Sequence, residues 1–164
     1  LYKHLAIILG LIFFSVNNAI AVEDNNNPFE IGIFELIAKA NDEEETLFVG
    51  RASLRCSALQ SLIFNFFSKA SPQKDWSNLQ TSASALLNVG IQINQQKLTE
   101  RGIKNDIYKQ AKEQAFNEFK SYTELYTQWL SANAIQQGEY LGSSPSATSE
   151  LEQCKALSNT VING

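Results

Sequence analysis

Between Asp42 and Ala70, the residues Phe48, Ala52, Cys56, Leu59, Ile63, Phe66 and Ala70 recur at steps of four and three. On a spiral of 3.6 residues per turn these positions form one stripe, so the stretch reads as a long amphipathic helix with Cys56 facing inward. Only one other cysteine exists, Cys154, and it lies on a second helical pattern near the far end of the chain. With an even count and a single possible pairing, Cys56 is expected to bond Cys154, tying this helix to the last one. The spacing is not C-x-x-C and no histidine stands near either residue, which sets aside the alternative of a redox pair or free reactive thiols.

The compartment follows from the other end of the sequence. Lys3 and His4 precede an apolar run from Leu5 to Val16, and Ala19-Ile20-Ala21 presents small residues at a signal-peptidase spacing. A dozen apolar residues are too few to span roughly 30 Å of hydrocarbon as a helix, so residues 1–21 read as a secretory signal cleaved between Ala21 and Val22. An uncleaved anchor is the alternative. Cleavage would leave 12 basic against 17 acidic residues and would remove His4, the sole histidine. A mature chain without imidazole has no Ser-His-Asp triad, Cys-His pair or histidine metal site. No cofactor and no metal ligand set is expected. With no stripe of lysine or arginine to neutralise phosphates, nucleic-acid binding is not expected either.

Residues 22–27 are polar and asparagine-rich and read as a disordered lead-in. From 28 to 164 the chain suits one domain, an all-α antiparallel bundle of four to five helices stapled by one disulfide. Asn27, Pro28 and Glu30 resemble a capping sequence, which predicts a short helix over 28–40 with Ile31, Phe34, Ile37 and Ala38 on one face. Asn41 is then the expected cap of the long helix, with Asp42, Glu43 and Glu44 in its first turn, where unpaired N–H groups and the helix dipole favour carboxylates. A calcium loop would need alternating oxygen ligands and a central glycine, and both are missing.

Ser71-Pro72 breaks the long helix. Asp75 is the expected cap of the next, whose seam is Trp76, Leu79, Ala83, Leu86, Gly90 and Ile93. Gly90 within that seam predicts close approach by a neighbour, plausibly a large ring. Gly102 closes the helix. From Asn105 the longest pattern carries Ile107, Ala111, Ala115, Phe119, Tyr122, Tyr126, Trp129 and Asn133, small at one end and aromatic at the other. It reads as core, with a sugar- or peptide-binding groove as the alternative. Gly138 and Gly142 end it, 143–149 reads as a loop, and Ser149 with Glu152 reads as the capping box of a closing helix through Leu151, Cys154, Leu157 and Val161.

Three residues are candidates for an interaction surface. Arg51 and Arg55, one turn apart, are expected to lay their stems beside the buried stripe and keep their heads in water, and Phe64 points away from that stripe. Phe66 is placed inside it. The carboxylates Glu113, Glu118 and Glu124 are the candidates for a glycan-cleaving enzyme, although no motif selects any of them. The segment 50–59, Gly-Arg-Ala-Ser-Leu-Arg-Cys-Ser-Ala-Leu, with Leu151-Glu152-Gln153-Cys154, resembles small secreted helical proteins of bacteria with one long-range disulfide. That resemblance covers two short segments, and implies the bundle and the bond but no substrate. The expectation is an exported, periplasmic or secreted, non-catalytic protein with an envelope-protein partner, such as an adaptor, an inhibitor or immunity-like protein, or a stress accessory. A bundle that binds a small ligand is the alternative.

Overall fold

A computed structural model describes residues 27–42, 46–138, 140–141 and 145–163. The signal segment, its cleavage point at Ala21 and Val22, and the lead-in up to residue 26 lie outside the described residues, as do the acidic residues 43–45. Among the described residues five helices follow in order: α1 Ile33–Asp42, α2 Thr46–Ala70, α3 Ser77–Glu100, α4 Ile107–Gln137 and α5 Pro145–Asn163. Among the described residues there is no strand, and no helix is long and apolar enough to cross a membrane. The fold is the expected all-α bundle, and its staple joins α2 to α5.

The first helix starts five residues later than its capping sequence predicts. Asn27 Oδ1 accepts from the Phe29 N–H at 2.9 Å, a local turn that uses the side chain before any helix begins. The chain then stays open until Gly32, whose carbonyl accepts from the Leu36 N–H at 3.0 Å. The free Phe34 N–H is met by Gln153 Oε1 at 3.2 Å, so the end of α1 is capped by a residue of α5. At its other end α1 runs on through Asn41 and Asp42. Asn41 is therefore not the cap of α2.

Helices α2 and α3 lie antiparallel and unusually close. A β-carbon built on Gly90 would stand 2.4 Å from Leu54 Cδ2, and one on Gly50 would stand 3.0 Å from Ile93 Cγ2. The missing side chains let the two backbones approach, as the glycine in the seam predicts, although the group received is a leucine rather than a ring. Ser57 Oγ then donates to the Ala83 carbonyl at 2.7 Å. The levels 50 to 93, 54 to 90 and 57 to 83 fix the opposite directions of the pair. Asp75 accepts from the Ser77 N–H at 2.8 Å at the start of α3, and that bond holds its carboxyl below the usual aspartate value.

Helix α4 behaves as its graded pattern predicts. Ala111 and Ala115 are fully buried against Leu54, Ile91 and Leu98, while Tyr126, Trp129 and Leu130 enter the larger core beneath α2. The aromatic row is thus core rather than groove at Tyr126 and Trp129, with Phe119 and Tyr122 half-buried at its margin. Gly138 ends the helix at φ +77°, donating to the Ala134 carbonyl at 2.9 Å.

Residues 145–149 of the expected loop are helical, and 143 and 144 lie outside the described residues. Pro145 opens α5, a position where its missing N–H costs nothing, and Thr148 Oγ1 donates to the Leu141 carbonyl at 3.0 Å. Ser149 consequently sits inside the helix, where its hydroxyl accepts from Gln153 Nε2 at 3.1 Å rather than capping with Glu152. This extra turn brings Glu150 into the core.

Candidate functional site

The disulfide Cys56–Cys154 forms as the cysteine count predicts, with Cα atoms 5.1 Å apart and both residues fully buried. Arg55 precedes Cys56 on α2. Glu150 stands one turn before Cys154 on α5, hence on the same face. The bond brings these opposite charges to one level, with only 4% of either side chain exposed. Arg55 Nε donates to Glu150 Oε1 at 2.8 Å and Nη2 to the same oxygen at 2.5 Å. Nη1 donates to the Ile31 carbonyl, also at 2.5 Å. The open segment ahead of α1 is thereby given a role, since it supplies the acceptor for the far side of the guanidinium.

Tyr126 and Phe29 complete the cluster. The Tyr126 hydroxyl donates to Glu150 Oε1 and accepts from Arg55 Nε at 3.3 Å. Burial, and the Glu150 carboxylate next to it, hold the phenol well above its ordinary pKa, so it stays a proton donor. The Phe29 ring lies 3.7 Å from Arg55 Cζ and 4.7 Å from the Tyr126 ring centroid, capping the guanidinium face. One turn further along α5, Gln60 Nε2 donates to Ser158 Oγ at 2.7 Å and to the Cys154 carbonyl at 3.3 Å. Three successive turns of α5 are thus each fastened to α2: Glu150 to Arg55, Cys154 to Cys56, and Ser158 to Gln60.

This arrangement corrects the reading of Arg55. Its head is not in water; it is neutralised, hydrogen-bonded and covered, because the carboxylate brought in by α5 replaces its hydration. Arg51 is exposed as expected, with its guanidinium 5.9 Å from the Phe48 ring centroid. Phe64 is only half-buried, and Phe66 is 40% exposed, outside the stripe in which its spacing placed it. Beyond Ile63 the partners of α2 are single rings: Phe66 stacks on Tyr140 at 5.3 Å and Phe67 meets Trp76 at 5.4 Å. Arg51, Arg55 and Phe64 therefore do not make one surface.

Of the candidate carboxylates, Glu113 and Glu124 are exposed on α4. Glu118 is half-buried, and desolvation raises its pKa against the opposing charge of Arg51. Among the described residues, no group of three His, Cys, Asp or Glu side chains is placed to hold a metal ion. Glu150, Phe29 and Gln60 escaped the reading of the sequence. The signal that finds Glu150 and Gln60 is the disulfide itself, since residues within one turn of Cys56 and of Cys154 are brought together; nothing in the sequence pointed to Phe29.

The exposed side of α4 carries a feature of its own. Tyr108 and Phe116, 58% and 44% exposed, lie two turns apart with Lys112 between them, its Nζ 5.8 Å from the Phe116 ring centroid. With Ile135 they are the large apolar side chains that α4 leaves exposed. Searches of protein-family models, curated proteins and solved structures find no match for this chain.

Proposed function

We propose that the protein is exported and works without catalysis, as a helical module that engages another protein of the cell envelope. The observation that carries this reading is the use made of the charged and aromatic groups at the α2–α5 junction. Arg55, Glu150 and Tyr126 are spent on one another, and a guanidinium with protein partners on both edges and a ring on its face has no position left for a substrate. A long-range disulfide accords with the oxidising compartment to which the leader sequence directs the chain. The ring-bearing face of α4 supplies the contact surface. Aromatic side chains offer large contact area at small cost in conformational entropy, which suits them to interfaces.

The test is a pull-down of the mature, oxidised chain from envelope extract beside the variant Tyr108→Ser/Phe116→Ser. A stoichiometric envelope protein retained by the parent chain and lost from the variant is the expected result. A co-purifying glycan or lipid with no protein partner would overturn it.

A further inference from the structure

Helix α5 meets the rest of the molecule through a narrow apolar face, Ala147, Leu151, Cys154, Leu157 and Val161, with the polar Glu150 and Ser158 buried beside it. Its buried residues are Ala147, Glu150, Cys154, Leu157 and Ser158, with Leu151 and Val161 half-buried at the edge. By contrast α2 buries Val49, Ala52, Leu54, Ala58, Leu59, Leu62 and Ile63. Toward α2 the groups that fasten it are polar or covalent, and it also packs on α3 and α1. A buried ion pair gives up the hydration of both charges, so it comes close to break-even against the solvated pair. The Gln60–Ser158 bond exchanges for bonds to water at a small net gain. In a folded protein most of a helix's stability comes from docking its face rather than from propensity. A narrow apolar face and the covalent bond are the remaining terms.

From this we infer that α5 is a redox-latched helix: the Cys56–Cys154 bond, rather than apolar burial, keeps it docked, and reduction frees 145–163 while α2–α4 remain folded. In chemical terms, one thiolate of a dithiol reductant attacks a cystine sulfur and forms a mixed disulfide, and the other cysteine leaves as thiolate. The reductant's second thiol closes on the mixed disulfide, so the reductant leaves oxidised and Cys56 and Cys154 each become a thiol, with two electrons and two protons transferred. Both cysteines are fully buried, so attack waits for an opening of α5 and the latch resists casual reduction. Release returns Glu150 to water and uncovers Arg55 and Gln60 on α2. The oxidation state of one bond thereby sets which face of the longest-buried helix is presented.

Lys155 is the tryptic site within α5 and is exposed, yet a docked helix does not fit a protease cleft, so cleavage there reports undocking. Limited trypsinolysis with mass spectrometry is run on the oxidised protein, the dithiol-reduced protein, Cys56→Ala/Cys154→Ala and oxidised Arg55→Met/Glu150→Leu, in which neither charge is left buried alone. Cutting after Arg101 or Lys104 in the α3–α4 turn serves as internal reference. The expected result is cleavage after Lys155 at least about tenfold faster in the reduced protein and the double alanine variant than in the oxidised protein. Sites within α2, α3 and α4 should stay uncut on either side of the α3–α4 turn, and Arg55→Met/Glu150→Leu should stay slow while oxidised. Lys155 still protected after reduction would overturn the inference. So would cutting within α2–α4 together with α5, or rapid cleavage in oxidised Arg55→Met/Glu150→Leu, which would make the ion pair the true fastening.

Discussion

Where α2 meets α3, contact is made by absent side chains: Gly90 opens a seat for Leu54, Gly50 for Ile93, and the two helices close on each other. Where α2 meets α5, contact is made by named bonds: an ion pair shared with a tyrosine, a disulfide, and an amide on a hydroxyl. The first seam gains from dispersion and burial over its whole length and tolerates no added volume. The second gains little from area and depends on each partner being present. One helix is thus held on two sides by different physics, and the two sides should fail in different ways.

The largest single-residue effect is expected on the polar side. Arg55→Met leaves the Glu150 carboxylate buried without its countercharge, and about 3–5 kcal/mol of stability should be lost in the oxidised protein by urea unfolding. Replacing both partners, Arg55→Met with Glu150→Leu, should restore most of that loss, because an apolar pair of similar volume needs no compensation. A double variant as unstable as the single one would show that the bonds themselves, and not the desolvation of an orphan charge, matter.

On the apolar side, Gly90→Ala should cost about 1–3 kcal/mol by overpacking, despite the better helix propensity of alanine. The sharpening control is Leu54→Ala, in whose background the same glycine substitution should become neutral or favourable. If Gly90→Ala is stabilising in the parent chain, the close approach of α2 and α3 is not as described.

These two seams were unequally legible in the sequence. The α3 side of the α2–α3 seam was readable because packing imposes a period: Ala83, Leu86, Gly90 and Ile93 recur at helical spacing with a glycine among them. The identity of the neighbouring helix and the part played by Gly50 were not. The cysteine pairing was readable by count. Glu150 was not, because Ser149 and Glu152 imitate a cap and drew the start of α5 past it; only Pro145 marks the true beginning. Asn41 misled in the same way, being a good cap that α1 instead runs through. Arg55 was assigned to water on composition alone, since a charge beside a stripe is ordinarily solvated, and its partner comes from 95 residues away. Periodicity reports burial, but it does not report which polar groups will meet across the chain.

Two smaller effects separate the polar seam from its surroundings. Tyr126→Phe removes the hydroxyl that donates to Glu150, with an expected loss of about 1–3 kcal/mol and an unchanged fold by circular dichroism. Glu118 gives the smallest effect, with opposite sign. Its folded-state pKa is raised by burial, so the unfolded chain ionises first as pH rises above the ordinary value of 4.5. Stability contributed at that residue is therefore complete below 4.5 and falls as pH climbs through the folded-state pKa. Glu118→Gln should flatten that part of a stability-against-pH curve and make the protein slightly more stable at neutral pH. A curve steeper than the parent's would place Glu118 in a favourable pairing with Arg51 instead.

The most direct test of the contrast is hydrogen exchange followed by mass spectrometry on the oxidised and reduced protein under native conditions. The account predicts that reduction strips protection from peptides within 145–163 while those in α2 and α3 around Leu54, Leu86 and Gly90 remain slow. Uniform loss of protection across α2, α3 and α5, or no change in α5, would contradict it and mean that both seams belong to one cooperative core.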